Sequence, residues 1–528
     1  MNTADTNLPG PISRWKESWL VFLLCGVAGL RVFIYGSAFP FFNNVDEAAH
    51  FDMVVKYSQL RPPTGVENYS PDSAPWIAVF SSPEYMLTPD QFAGGKFPSP
   101  PWLPPSESVL RQIAGSPSFL ASKPDDESTE MGRAISRAKS FLAARPNYES
   151  ADSPLYYVLA GLWMDLGLWC GCGDIHLLYW IRFLNIPLAA ALVWLGYAVA
   201  QIVFPECRFS RLGVPLLLAF FPQDIYYSIQ SDVLSPLCFG AAFLGLVRWL
   251  QTDTLSRRLG ALTGLALAAV WLVKVSNLPL VAVAVLAVVI KSLGLARAGK
   301  LSAALPAPGL LLLCAALPIG AWCLWSQHAF GDITGASPKI HSLGWTRKPF
   351  LDWWHHPIFT PSGLGTFLSD LLASFWRGEF VWGRRRLALP AVDTFYWISS
   401  LLLPGVALVT LFWKRSGITA WQRQAFWLSL CCFAAAIAFL GLNSIAFDFG
   451  TCFYPSPAYP YLTSGRLLCG ALIPFLVLYV HGLDSALRPV KSGAARMLAL
   501  GGIVLLIAIS ELVVSLPAFS SEFNWFHL

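Results

Sequence analysis

The chain returns repeatedly to unbroken apolar runs of about 20 residues, the length an α-helix needs to cross roughly 30 Å of hydrocarbon. Such runs lie at roughly 18–40, 180–203, 210–228, 232–250, 257–275, 277–293, 301–326, 393–413, 424–445, 465–484 and 495–516. In lipid, each backbone N–H and C=O must be satisfied within the segment, so runs of this kind fold as helices. The expectation is an all-α polytopic membrane protein with about 11 to 12 transmembrane helices. Composition agrees: 55% of the 528 residues are hydrophobic and only 13% charged, about half the roughly 25% charge of a soluble domain.

Orientation follows from the basic residues. They gather at Arg14 and Lys16, Arg208 and Arg211, Arg257 and Arg258, Lys291 to Lys300, Lys414 to Arg423, and Arg488 to Arg496. Those loops are expected to be cytoplasmic, so the net charge of +5 reports topology and not affinity for nucleic acid. The alternation holds throughout if the shorter apolar piece 153–170 is re-entrant or interfacial. The N-terminal run continues to about residue 40, contains Arg31 and lacks a small-residue cleavage site, which reads as an uncleaved anchor. One transmembrane domain then fills 1–528, with a first outer loop at 41–150 carrying juxtamembrane helices, a second at 327–392, and C-terminal transmembrane helices over 393–528. In the second loop Leu364, Phe367, Leu368, Leu371, Leu372 and Phe375 recur at helical spacing, which predicts an amphipathic helix on the membrane surface.

The stretch NNVDEAAHFDMVV, 43–55, stands where the chain has just left the first apolar run. One reading is structural: Asn44 caps a helix, Glu47 stands three residues on, and acids suit a first helical turn. The other is chemical. Asp46 and His50, four residues apart, share one side of a helix, and a carboxylate beside an imidazole can act as a base with an orienting partner.

This motif, after the first transmembrane helix and opening a long outer loop, resembles the GT-C superfamily of membrane glycosyltransferases. NYESADSPLYYVLAGL at 147–162 is similar to an acidic stretch of that family leading into PPLYY, and YWIRFLNIPLAAALVWLGYAVA at 179–200 to its Arg-bearing third helix. FFPQDIYYSIQSDVLSPLCFGAAFLGLVRWL at 220–250 resembles the following helix pair, and YLTSGRLLCGALIP at 462–474 a late "GRY" stretch of bacterial members. The chain departs from the aminoarabinose transferases in having DEAAH for DExRY and SPLYY for PPLYY. The resemblance implies a GT-C-like bundle with two long outer loops. It also implies a polyprenyl-phosphate-linked sugar as donor, a glycan, lipid or protein as acceptor, and a bacterial inner membrane with the site on its periplasmic side. Asp46 would be the base or substrate anchor, with Glu47 and His50 orienting it. The absence of a Walker motif or GxGxxG suits a donor that is not a nucleotide sugar.

Arg182, Lys274 and Arg466 begin or interrupt apolar runs on the outer side, where each could bind the donor phosphate or snorkel to water. Arg31 reads as a structural pair within the bundle. Glu149, Asp152, Asp224 and Asp232 are candidates for a second acid that orients the acceptor or, with Mg²⁺ or Mn²⁺, a divalent cation; no cofactor is required by the sequence. Cys170 with Cys172 and His355 with His356 are weaker zinc candidates, more simply read as packing. The rival reading is a transporter or flippase of a lipid-linked sugar, binding it at mid-depth through the same charges.

Overall fold

The computed structural model describes residues 11–44, 46–97, 99–100, 130–252, 254–300, 305–412, 417–450 and 454–527. The described chain is all-α apart from four two-residue strands. Its helices are α1 (Pro11–Ala38), α2 (Glu47–Ser58), α3 (Ala74–Phe80), α4 (Glu130–Ala144), α5 (Leu155–Trp169), α6 (Asp174–Arg182), α7 (Asn185–Val203), α8 (Arg208–Ala219) and α9 (Ser235–Gln251). There follow α10 (Arg257–Val273), α11 (Leu278–Arg297), α12 (Pro306–Phe330), α13 (Ala336–Ser342), α14 (Pro361–Arg377), α15 (Pro390–Phe412), α16 (Ala420–Ala446), α17 (Leu472–Ala486) and α18 (Gly493–Phe519). Strand β1 (Thr346–Arg347) pairs antiparallel with β4 (Phe447–Asp448), and β2 (Val381–Trp382) with β3 (Arg385–Arg386).

Nine helical runs among the described residues are long and apolar enough to cross a membrane: Trp15–Ala38, Ile175–Val203, Ser231–Gln251, Val275–Arg297, Pro306–Phe330, Pro390–Phe412, Ala420–Ala446, Gly465–Ala486 and Gly493–Phe519. The chain is therefore polytopic. Local chemistry sets the helix ends: Ser256 Oγ accepts from Leu259 N at the start of α10, and Thr419 forms a capping box with Gln422 at the start of α16. The run ending in α17 is the central pillar, 89% buried and apolar on all sides, whereas Val275–Arg297 and Pro306–Phe330 are only 22% buried. Gly260 and Gly264, four apart on α10, face the carbonyls of Ala307 and Leu311 and admit α12 to backbone contact.

Four expectations change. The run at 210–228 is not one helix: α8 has 12 residues, about 18 Å, too short to cross. It leads into irregular backbone that is buried from Phe221 to Leu234. Side chains satisfy that backbone: Gln223 donates to the carbonyls of Ser374 (3.0 Å) and Phe375 (2.9 Å), and Asn185 to those of Tyr226 (3.1 Å) and Ser228 (2.8 Å). The run at 257–275 becomes α10, 17 residues and at the short end of the range for a span, so the expected 11 to 12 spans become nine longer runs plus these shorter helices. Helix α14 forms where its periodicity predicted, but most of its apolar face packs against protein. Phe367, Leu371, Leu372, Phe375 and Trp376 are fully buried against α15 and Phe475. Its apolar face has a protein partner.

The piece at 153–170 is α5, which does not cross by itself. Trp163 and Trp180 stack at 4.7 Å and each indole donates to the other's carbonyl (2.7 Å), clamping α5 antiparallel to α6. Arg31 pairs with Glu511 of α18 (2.6 Å) and donates to the Phe221 carbonyl (2.6 Å), tying the first and last helices to the buried loop.

Candidate active site

The chain turns sharply between α1 and α2. Phe42 (φ 59°) and Asp46 (φ 68°) both take left-handed backbone, which costs a non-glycine residue of order 1 kcal/mol and persists only where neighbours impose it. Glu47 supplies that restraint. It accepts from Phe42 N (2.9 Å), Ile229 N (2.9 Å) and Arg182 Nη2 (2.7 Å). Arg182 also donates to the carbonyls of Gly36 (2.9 Å) and Phe39 (2.5 Å) near the end of α1 and lies 4.0 Å from the Phe41 ring centre. The two side chains are 1% and 0% exposed.

Three sequence expectations are corrected by this knot. Asn44 does not cap α2 and Glu47 is not its third residue: α2 starts at Glu47, Asp46 makes no capping bond, and Asn44 donates to Ser228 Oγ (3.2 Å). Every nitrogen of the Arg182 guanidinium is engaged by Glu47 or a backbone carbonyl, so it has no fork left for a phosphate. Glu47 holds the turn and does not touch Asp46.

Free of capping, Asp46 faces His50 one helical turn on and Glu149. Each offers one ligand atom, all within 4.8 Å of one another. Glu149 sits in a 3₁₀ turn, Tyr148–Ala151, pinned to α2 by Asn147, which donates to Ala49 O (2.9 Å) and Asp52 Oδ2 (2.7 Å) and accepts from Glu149 N (2.9 Å). Asp46 accepts from the Tyr148 hydroxyl (2.5 Å) and from the Arg466 guanidinium. Arg466 also reaches Gln230 (3.3 Å) and lies 3.8 Å from Glu379, which pairs with Arg386 (2.8 Å). Gly465 makes that placement possible, since a Cβ there would collide with the backbone of Ser374 and Phe375.

Two lysines complete the cluster. Lys274, in the break between α10 and α11, bonds Asp232 (2.6 Å) in the turn before α9. Lys339 of α13 bonds both oxygens of Glu149 (2.8 and 2.7 Å) and Oδ1 of Asp152 (3.2 Å), bridging the two long loops. Of the expected residues, then, Asp46, His50, Glu149, Asp152, Asp232, Lys274 and Arg466 share one network, and Glu47 and Arg182 support it from behind. Asp224 lies beside it, accepting from Glu379 N (3.0 Å). Lys339, Tyr148, Tyr157 and Glu379 were not foreseen. The PLYY stretch contained Tyr157, but nothing around Lys339 distinguishes it in sequence from a loop lysine.

Burial raises each carboxyl here and the neighbours decide the net result. At Asp46 burial is the largest single effect, but the Arg466 charge, His50 and the hydrogen bond from Tyr148 together outweigh it and hold the carboxyl below its usual range. At Glu149 burial is also the largest single effect, and Lys339, His50, Asp152 and Lys274 together outweigh it, so the carboxyl stays well below. Asp152 is pushed up by burial and by the Glu149 charge to about 8, so it carries a proton at neutral pH and can donate to Glu149. Burial holds His50 down to about 4, a neutral imidazole. Its Nδ1 lies 2.8 Å from the Tyr157 hydroxyl, and its Nε2 has no hydrogen-bond partner among the described residues. In the tautomer that donates Nδ1–H to Tyr157, the Nε2 lone pair is free to accept.

Two carboxylates and an imidazole are a donor set for Mn²⁺ or Zn²⁺ more than for Mg²⁺, which prefers oxygen alone. Asp46, His50 and Glu149 are the residues that would hold such an ion, with Arg466 and Lys339 as the side-chain cations it must displace. The weaker zinc candidates do not form a comparable group: His356 bonds Pro460 O (3.0 Å) and Ile358 N (3.1 Å), and neither cysteine joins a ligand cluster among the described residues. No protein-family model matches the chain, and no curated protein matches it.

Proposed function

We propose that this protein is a GT-C-type membrane glycosyltransferase, moving a sugar from a polyprenyl-phosphate donor to an acceptor hydroxyl at the long-loop end of the bundle. The observation that carries the reading is Asp46: 16% exposed, held in strained backbone, and paired with a cation that could equally serve a phosphate. A merely structural acid would not need that exposure or that strain. In this reading the site faces away from the basic short loops, on the periplasmic side of a bacterial inner membrane.

In this reading the donor phosphate draws Arg466 and Lys274 toward itself. Asp46 then loses its counter-charge and its affinity for a proton rises, so donor binding switches on the base. The acceptor oxygen attacks the anomeric carbon while its proton passes to Asp46. The bond from that carbon to the phosphate oxygen breaks, and the electron pair leaves on the phosphate, met by the guanidinium and the ammonium. His50 and Glu149 position Asp46 and would hold a divalent cation that supplies further charge to the phosphate. A direct attack of this kind inverts the anomeric centre.

The test is mass spectrometry of surface glycans and glycolipids from cells lacking the gene, complemented with wild type or Asp46→Asn at matched protein levels. Wild type restores a missing sugar and the Asn variant gives at least 100-fold less. Equal restoration refutes the base and favours a transporter or flippase of a lipid-linked sugar.

A further inference from the structure

A cavity lies apart from Asp46, at the same end of the bundle: a cleft of about 500 Å³. Its walls are the β1–β4 ribbon, the 3₁₀ turn Phe350–His355 and the segment from Pro457 to Pro460. The walls are fixed before any ligand arrives. His356, 4% exposed, ties two of them together by bonding Pro460 O (3.0 Å) and accepting from Ile358 N (3.1 Å). Lys348 N donates to Ala446 O (2.8 Å), holding the third in register with α16.

Seven polar side chains line this space, among them Arg347, Lys348, Asp352, His355 and Asp448. Among the described residues none of them forms an ion pair, whereas the neighbouring charges on these loops are paired, Arg377 with Asp393, Arg386 with Glu379 and Lys339 with Glu149. A cleft of this size, in which prolines and Phe449 stand beside a few polar groups, is the form of a small-molecule site. Its chemistry narrows the ligand. Two carboxylates disfavour a polyanion, the charged side chains set among the prolines and Phe449 disfavour a lipid chain, and no cluster of three metal ligands lies here among the described residues. Donors and acceptors lining one space suit hydroxyls, each of which needs both.

We infer that this cleft binds the glycan portion of the acceptor, a short neutral oligosaccharide, and presents its end to Asp46. The inference rests on the transferase reading for its purpose but not for its binding chemistry. Pro460 on the cleft wall is six residues from Arg466 in the site, at most about 20 Å of extended chain. An acceptor of a few sugar units spans that distance.

The experiment uses the full-length protein in lipid nanodiscs, screened against an array of defined di- to tetrasaccharides, with the strongest binder then titrated by calorimetry. Asp352→Ala with Asp448→Ala, and separately Arg347→Gln, weaken that binding at least tenfold at unchanged melting temperature, while Asp46→Asn leaves it within twofold. Absence of any binder, or equal affinity in the cleft variants, overturns the inference. So does loss of binding in Asp46→Asn alone, which would put the sugar at the catalytic acid. Failure of the transferase reading registers elsewhere: cleft binding persists while Asp46→Asn still restores the cellular glycan.

Discussion

Lys339 joins the two long loops at the site, so replacing it by Met, which preserves most of its length, isolates the charge. Its ammonium is 25% exposed and holds both oxygens of Glu149, whose side chain is 1% exposed, together with one oxygen of Asp152. Removing one member of a buried pair strands the other, at about 3–5 kcal/mol. The partial exposure of the lysine places the loss near the lower end, about 3 kcal/mol. Because 1.36 kcal/mol is a factor of ten, the seating of the seven-residue α13 on the 148–152 turn weakens about 150-fold. Amide hydrogen exchange over Ala336–Ser342 reads that ratio, provided closing is fast relative to exchange. Protection should fall by about two decades in Lys339→Met. Most of it should return in Lys339→Met with Glu149→Gln, where no charge is left stranded. Protection unchanged in the single variant would show that backbone packing alone seats α13 and that the ion pair restrains nothing.

Three further outcomes follow from the same geometry. Arg182→Met strands Glu47, 0% exposed, at about 3–5 kcal/mol; folded protein recovered by size-exclusion chromatography should drop sharply, and a normal yield with transfer alone lost would return Arg182 to the phosphate site. Asp152, held at about 8, binds a proton when folded that the unfolded chain has released, so its contribution to stability is lost as pH rises toward 8. His50, held at about 4, acts in the opposite sense, but only below its ordinary value of about 6.5. Between pH 6.5 and 8 the wild-type melting temperature should therefore decline, and Asp152→Asn should flatten the slope; an unchanged slope would assign it to another group. Gly465→Ala drives a Cβ into the backbone of Ser374 and Phe375, a clash of about 1–3 kcal/mol or more. Transfer should fall well below that of Gly493→Ala, where the space is open, and equal activities would mean that Arg466 is positioned by something else.

What was legible in the sequence divides along one physical line. Local spacing carried through in part: Asp46 and His50, four apart, do come together, but Asp46 is the left-handed residue that precedes α2, held there by the Glu47 knot. The apolar face of α14 was also legible, but an apolar face says only that water is excluded, and lipid and protein exclude it alike. The run at 210–228 read as a span because Phe221, Ile225, Tyr226 and Tyr227 are apolar enough. That Pro222, Gln223 and Asp224 break the helix within the protein depends on Gln223 and Asn185 finding bare carbonyls, a fact of three dimensions.

The arginines show the same limit most clearly. Arg182 and Arg466 both stand beside apolar runs and look alike as phosphate ligands. The difference lies in what each meets. Arg182 arrives where α1 ends, and a helix end leaves carbonyls without intrahelical donors; those of Gly36 and Phe39, together with the fully buried Glu47, engage its whole fork. Arg466 follows a glycine that lets its backbone press against α14, and so reaches an acid 420 residues away that still touches solvent. An arginine's availability for a ligand is therefore set by how many unsatisfied acceptors the fold delivers to it, and that number is decided by chain segments far from the arginine itself.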